Sequence, residues 1–186
     1  MVPILALWLP ILVAAVIVFV ASSFLHMVLP YHKSDYGRLP NEDDVMEAMR
    51  KAGVKPGDYM MPHASSMAAL KDPAFVDKYA KGPVAAMTVM PSGTPAMGAQ
   101  LAQWFVYSLV VGVFAAYIAG RALGPGAHYL AVFRFAGATA FIGYSLALWQ
   151  DSIWYKKKIS TTLKNTADGL VYGLLTGGTF GWLWPE

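Results

Sequence analysis

Four histidines are the residues of this sequence best suited to chemistry, because a neutral imidazole is a common ligand of metals and haems. They are His26, His32, His63 and His128. His26 ends a long apolar run and is a candidate axial ligand for a haem or chlorin. No two of the four are four residues apart, so no helix face carries a pair. We therefore expect His26 to be an interfacial or hydrogen-bonded side chain.

A metal site is a further hypothesis for the stretch that follows. A hard or borderline metal needs carboxylate and imidazole ligands, and the chain supplies these at His32, Asp35, Asp58 and His63. Their spacing does not require such a site. We expect no intrinsic metal or cofactor, and leave open contact with a pigment, haem or quinone at the protein surface.

Methionines are enriched in the same stretch, and two MxxM spacings suggest copper(I) binding. Methionine is also the adaptable residue of protein contact surfaces. We favour the contact surface, with Met60 and Met61 among the residues that touch a partner.

Composition identifies the class of protein. The chain has 186 residues, of which 56% are hydrophobic and 13% charged, whereas about 25% are charged in a soluble domain. Residues 1 to 32 and 82 to 120 carry no charged side chain, and a membrane span needs only about 20 apolar residues. A disordered chain and a free cytosolic enzyme are excluded, and the absence of cysteine excludes a disulfide scaffold. The net charge of +3 is too modest to favour nucleic acid.

The apolar runs predict an all-α integral membrane protein with about four transmembrane helices. Residues 1–29 form the first, and residues 97–186 form a three-helix bundle with spans at about 100–119, 129–150 and 169–184. Proline removes a helical hydrogen bond, so Pro10 predicts a kink or a late helix start in the first span.

Residues 30–96 form the extramembrane loop, about 66 residues long, with eight basic and eight acidic side chains. One short helix is predicted over Asn41–Lys51, with Asn41 as its cap and acidic residues in its first turn. A second begins at Asp72, has Pro73 in its first turn and ends near Gly82. We expect ordered coil elsewhere in the loop.

Small residues recur at every fourth position in the last three spans. Such stripes let helices approach closely in lipid, and we predict that they are helix-packing faces rather than the lining of a pore, which needs polar groups. The fourth span has Gly169, Gly173, Gly177 and Gly181, the second has Ser108, Gly112, Ala116 and Gly120, and the third has Thr139, Gly143 and Ala147.

Basic residues near the span ends predict the orientation, because cytoplasmic loops carry an excess of lysine and arginine. The side of the membrane that holds the large loop also holds four lysines near span ends: Lys156, Lys157, Lys158 and Lys164. The opposite side holds only Arg121. The loop is therefore predicted to be cytoplasmic and both termini periplasmic, in a bacterial inner membrane. Arg134 and the run Lys156 to Lys158 are candidate contacts to lipid headgroups or a partner.

The leading functional hypothesis is a non-catalytic accessory subunit that stabilises or helps assemble a larger inner-membrane complex, such as a respiratory or photosynthetic one. Its partners would be other membrane subunits and lipids. An alternative is a small homo-oligomeric transporter or channel, with Arg134, Gln100, Gln103 or Thr176 lining a hydrated cavity. A third is a membrane enzyme acting on lipid or quinone through His26, His32, Asp35 and His63. We expect no enzymatic activity.

Overall fold

The computed structural model describes residues 1–186, which divide into two compact units. One unit comprises Met1–Tyr36 and Ala96–Glu186, and the other comprises Gly37–Pro95. Three helical stretches of the first unit are long and apolar enough to cross a membrane: Ile4–Met27, Gly98–Ala122 and Tyr129–Tyr155. The chain is therefore mostly helical, and a membrane protein is the class that these helices support.

Helix α1 begins late, as Pro10 predicted. The first residues, Ile4–Leu7, form a 3-10 helix, and α1 itself spans Trp8–Met27. Pro10 therefore lies in the first turn, where the missing N–H has no helical acceptor to lose. Beyond α1, a short 3-10 helix covers Pro30–Ser34.

Two further helical stretches match the predicted second and third spans. Helix α4 covers Gly98–Ala122. The third stretch consists of α5, Tyr129–Phe141, a π-helical turn over Ile142–Leu146, and α6, Leu148–Tyr155. It extends five residues past the predicted end at Gln150, through the residues Asp151 to Tyr155.

Helix α7, Ile159–Trp182, contains the predicted fourth span but begins ten residues before it. Its first turns hold polar side chains that are compatible with a helix and unsuited to the middle of a bilayer. Helix α7 is about as long as the three candidate membrane-spanning stretches. Because of these polar side chains, it is not apolar enough to be counted among them.

Helix α7 packs against α5 and α1, and α4 packs against α1 and α5. Two apolar clusters fill the space between these helices. One includes Leu7, Ala116, Val132 and Phe180, and the other includes Val18, Val111, Ala140, Tyr144 and Tyr172.

The second unit contains α2, Glu42–Lys51, and α3, Pro73–Lys81, close to the two predicted short helices. Asp72 caps α3 by accepting a hydrogen bond from the backbone N–H of Ala74 at 2.8 Å. The predicted cap of α2 is wrong, because Asn41 adopts a left-handed conformation and its side chain makes no capping hydrogen bond.

The second unit also contains a two-stranded antiparallel sheet, formed by β1, Gly57–Met61, and β2, Ala85–Val89. The all-α expectation missed this sheet, and ordered coil was expected here. The two strands are separated in sequence by α3, so no hairpin turn signal joins them.

Candidate functional site at the end of the first membrane helix

A polar cluster joins the segment after α1 to the first half of α7. The short 3-10 helix places Tyr31 and His32 against α7, and Asp35, the residue that follows it, also lies against α7. On α7, Lys164 and Asp168 are four residues apart and therefore share one face. Five side chains that are up to 137 residues apart in sequence thus form one site.

His32 lies between two carboxylates. Its Nδ1 is 2.6 Å from Asp35 Oδ2, and its Nε2 is 2.9 Å from Asp168 Oδ2. Tyr31 donates its hydroxyl proton to the other Asp168 oxygen, Oδ1. The Asp168 and His32 side chains are only 6% and 11% exposed, so water competes little for these bonds.

Lys164 holds the opposite side of the cluster. Its ammonium donates to Asp35 Oδ1 at 2.9 Å, to Ser34 Oγ at 2.8 Å and to the carbonyl of Tyr31. Thr161 Oγ1 is 3.5 Å from the same Asp35 oxygen. Burying a carboxylate is costly unless it is paired and hydrogen-bonded, and these contacts meet that requirement for Asp35.

The pKa values of two groups outside the membrane helices respond to this environment. Burial raises the pKa of Asp35, but the hydrogen bonds from His32 and Lys164 outweigh it and hold that pKa below its usual value. Burial, followed by the hydrogen bond to Asp168, raises the pKa of the Tyr31 hydroxyl well above its usual range. Asp35 therefore stays ionised and Tyr31 stays protonated at neutral pH.

His26, the candidate cofactor ligand, lies at the edge of this cluster. Its ring stacks on that of His32, with 4.1 Å between the ring centroids. Its Nε2 is 3.7 Å from Asp168 Oδ2, and its side chain is 48% exposed. One ligand atom from each of His26, His32 and Asp168 lies within 4.8 Å of the other two.

The remaining members of the hypothetical metal set belong to the second unit. Asp58 accepts a hydrogen bond there from Thr88 Oγ1 at 2.6 Å. His63 is exposed. His128 caps α5 by accepting a hydrogen bond from the N–H of Leu130 at 3.2 Å.

The glycines of α7 face its helical neighbours. A Cβ added at Gly177 would lie 2.8 Å from the carbonyl oxygen of Phe133, and one at Gly173 would lie 3.0 Å from that of Gly137. Gly181 faces the ring of Tyr129 and Gly169 faces Ser145. The backbones of α5 and α7 therefore lie in direct contact, a distance that only glycine permits.

The small residues of α4 face the start of the chain. Gly112 lies against Ile11, and a Cβ at Gly120 would be 2.6 Å from the carbonyl oxygen of Val2. Ala116 and Ser108 are both buried, and the Ser108 hydroxyl donates to the Trp104 carbonyl. On the third stretch, Gly143 faces Val111 of α4.

The polar residues named for a hydrated cavity do not meet in one place. Gln100, Gln103 and Arg134 are exposed, whereas Thr176 is buried and donates its hydroxyl proton to the Tyr172 carbonyl at 2.8 Å.

The predicted contact residues are at the surface. Lys156 donates a hydrogen bond to the carbonyl of Ile153, and Lys158 donates one to the carbonyl of Ser34. The ammonium of Lys157 is 3.8 Å from the Asp151 carboxylate. Met60 and Met61 are both exposed on β1.

Sequence reasoning did not assign Tyr31 and Asp168 to the site, and it interpreted Lys164 only as an orientation signal. Asp168 directly precedes the first glycine of the apolar stripe. An ionisable residue at the edge of a span is a candidate functional residue, and this rule would have identified Asp168. No sequence signal pairs it with His32, which is 136 residues away.

No protein-family model, no curated protein and no solved structure matches the chain. The fold and the site define its class as a mostly helical protein with three candidate membrane-spanning helices and a partly buried His, Asp and Lys cluster at the end of the first.

Proposed function

We propose that this chain is a non-catalytic accessory subunit that stabilises or helps assemble a larger bacterial inner-membrane complex, and that the exposed apolar side chains of residues 37–95 form its contact surface. One observation carries the proposal. No residue of Gly37–Pro95 is buried, although this unit contains two helices and a two-stranded sheet.

A folded segment without an interior lacks the usual source of stability. Ordering the backbone costs about 1–2 kcal/mol per residue, and apolar burial is the main term that offsets this cost. A unit of this size must therefore obtain its burial from a surface outside itself. A partner subunit supplies such a surface.

The exposed side chains of the unit suit a protein partner. Met67 and Met90 are 79% and 78% exposed, and Tyr79 is 53% exposed. On α2, Val45 and Met46 are exposed on the face that also contains Met49. Methionine adapts to irregular partner surfaces, and aromatic residues are enriched in interfaces.

The polar cluster supports the same role. Lys164 and Asp168 hold Tyr31, His32 and Asp35 against α7. These residues directly precede the second unit along the chain, so the cluster anchors the segment that leads into it. Each carboxylate of the cluster already accepts hydrogen bonds from the chain itself, which suits a structural clamp.

Within this proposal α7 is the fourth transmembrane span, its glycines packed on α5. The large loop is cytoplasmic and both termini are periplasmic, in agreement with the lysines that follow α6. Lys156 to Lys158 and Arg134 contact lipid headgroups or the partner. A respiratory or photosynthetic assembly is the kind of complex proposed.

The test is purification from the native membrane in mild detergent, with mass spectrometry and an absorption spectrum of the purified particle. We expect stoichiometric partner subunits with the wild type. A colourless homo-oligomer without partners would instead support the small transporter or channel.

Matched variants test the contact surface. Met67→Glu with Met90→Glu places charges in the proposed interface, whereas Ser65→Glu with Ser92→Glu makes the same charge change at exposed polar positions nearby. Burying a methionine contributes about 1.5–3 kcal/mol, so the first pair should reduce partner recovery at least about tenfold. Equal recovery with both pairs contradicts the assignment of this surface.

A further inference from the structure

We propose that His26, His32 and Asp168 bind one divalent transition-metal ion of the zinc class at the end of α1. The three side chains offer two imidazole nitrogens and one carboxylate oxygen, all within 4.8 Å of one another. Two histidines and a carboxylate are a common zinc ligand set that leaves the fourth position to water or another ligand.

His32 is oriented as a metal ligand. Metal-bound histidines usually donate their second ring N–H to a carboxylate, which fixes the ring and its tautomer. His32 Nδ1 makes this bond to Asp35 Oδ2 at 2.6 Å. Asp35 is held in turn by Lys164 at 2.9 Å. The Nε2 atom of His32 is thereby directed at Asp168.

Asp168 is oriented in the same way. Its Oδ1 accepts the hydroxyl proton of Tyr31. Its Oδ2 faces both imidazoles, 2.9 Å from His32 Nε2 and 3.7 Å from His26 Nε2. Hydrogen bonding of the non-ligating oxygen is the usual arrangement around a ligating carboxylate.

The two nitrogen to oxygen distances are close to those around a tetrahedral ion. Ligand atoms that each lie about 2.0–2.2 Å from a tetrahedral zinc are about 3.4 Å from one another. The two nitrogen to oxygen distances, 2.9 and 3.7 Å, lie on either side of that value.

His26 completes the site by turning its ring. The planes of the two imidazoles are 22° apart with 4.1 Å between centroids, and nearly parallel stacked rings do not both direct a nitrogen lone pair at one ion. The His26 side chain is 48% exposed, and its polar contact is the 3.7 Å approach of Nε2 to Asp168 Oδ2, so its ring rotates without breaking a hydrogen bond.

The experiment uses the full chain, stripped with EDTA in mild detergent and titrated with Zn²⁺ or Co²⁺. We expect one equivalent bound, with the visible absorption of tetrahedral Co²⁺. His32→Gln and Asp168→Asn should each weaken binding at least about 100-fold. Asp35→Asn and Tyr31→Phe, which alter only the orienting groups, should weaken it about 10- to 100-fold.

His63→Gln and His128→Gln are the matched controls, and both should bind as the wild type does. Circular dichroism and gel filtration identify any ligand variant that fails to fold, and the two orienting variants keep the test decisive in that case. No stoichiometric binding by the wild type overturns the proposal and leaves a closed ion network around His32. Binding that survives both Asp168→Asn and His32→Gln overturns it as well.

Discussion

The contact between α5 and α7 can be tested with a single methyl group. Gly177→Ala places a Cβ 2.8 Å from the Phe133 carbonyl oxygen and 3.0 Å from Gly137 Cα. Both are backbone atoms, so the clash is relieved only if the two helices separate by several tenths of an ångström. Gly178→Ala is the matched control, because its Cβ would meet only the Tyr129 hydroxyl, at an ordinary 3.6 Å.

The expected difference follows from these distances. Both substitutions gain the same helix propensity, about 1 kcal/mol, so this gain cancels between them. Overpacking a close helix contact costs about 1–3 kcal/mol, and only Gly177→Ala bears it. For a chain of this size, the midpoint of thermal unfolding should be roughly 2–12 °C lower for Gly177→Ala than for Gly178→Ala.

Unfolding in mild detergent, followed by circular dichroism, measures this difference. If the two variants unfold within about 0.5 kcal/mol of each other, a difference no larger than ordinary surface effects, then α5 and α7 are not in backbone contact at Gly177. The glycine stripe of α7 would then not be a helix-packing face.

Two further predictions concern the polar cluster. Lys164→Met removes the donor to Asp35 and should lower the free energy of unfolding by about 1.5–3 kcal/mol. The control, Lys158→Met, loses one exposed hydrogen bond to the Ser34 carbonyl and should lower it by less than about 1 kcal/mol. Equal losses of unfolding free energy in the two variants would contradict the proposed clamp. Because the folded-state pKa of Asp35 is lowered, its stabilisation is complete above its usual pKa near 3.8 and is lost as pH falls below that value. Wild type should therefore lose more stability than Asp35→Asn between pH 5 and pH 3, and parallel losses would exclude Asp35 as the cause.

The candidate membrane-spanning helices could be predicted because their signals are local. An uncharged run of sufficient length identifies α1 and α4 wherever the rest of the chain lies, and Pro10 predicts the late start of α1 from its own missing N–H. The helices α2 and α3 were predicted from capping and charge patterns for the same reason. The prediction that Asn41 caps α2 was wrong because the backbone conformation decides whether a side chain can reach the first turn of the helix. The residue type only biases that conformation.

The start of α7 and the sheet of the second unit could not be predicted from local sequence signals. Polar residues ahead of Gly169 suggested that the span began there, yet they continue the helix, and Lys164 and Asp168 among them contact the segment after α1. The strands β1 and β2 pair across α3, and pairing over that separation depends on where the intervening chain runs.

The sequence by itself determined the helices that are apolar enough to cross a membrane and the glycine spacing of α7, since each depends on residues that are neighbours along the chain. It also supplied His26, His32 and Asp35 as residues able to do chemistry. Only the tertiary structure decided that they meet Lys164 and Asp168. Packing of α7 against α1 brings together side chains more than 120 residues apart, and no periodicity or spacing encodes a contact of that range.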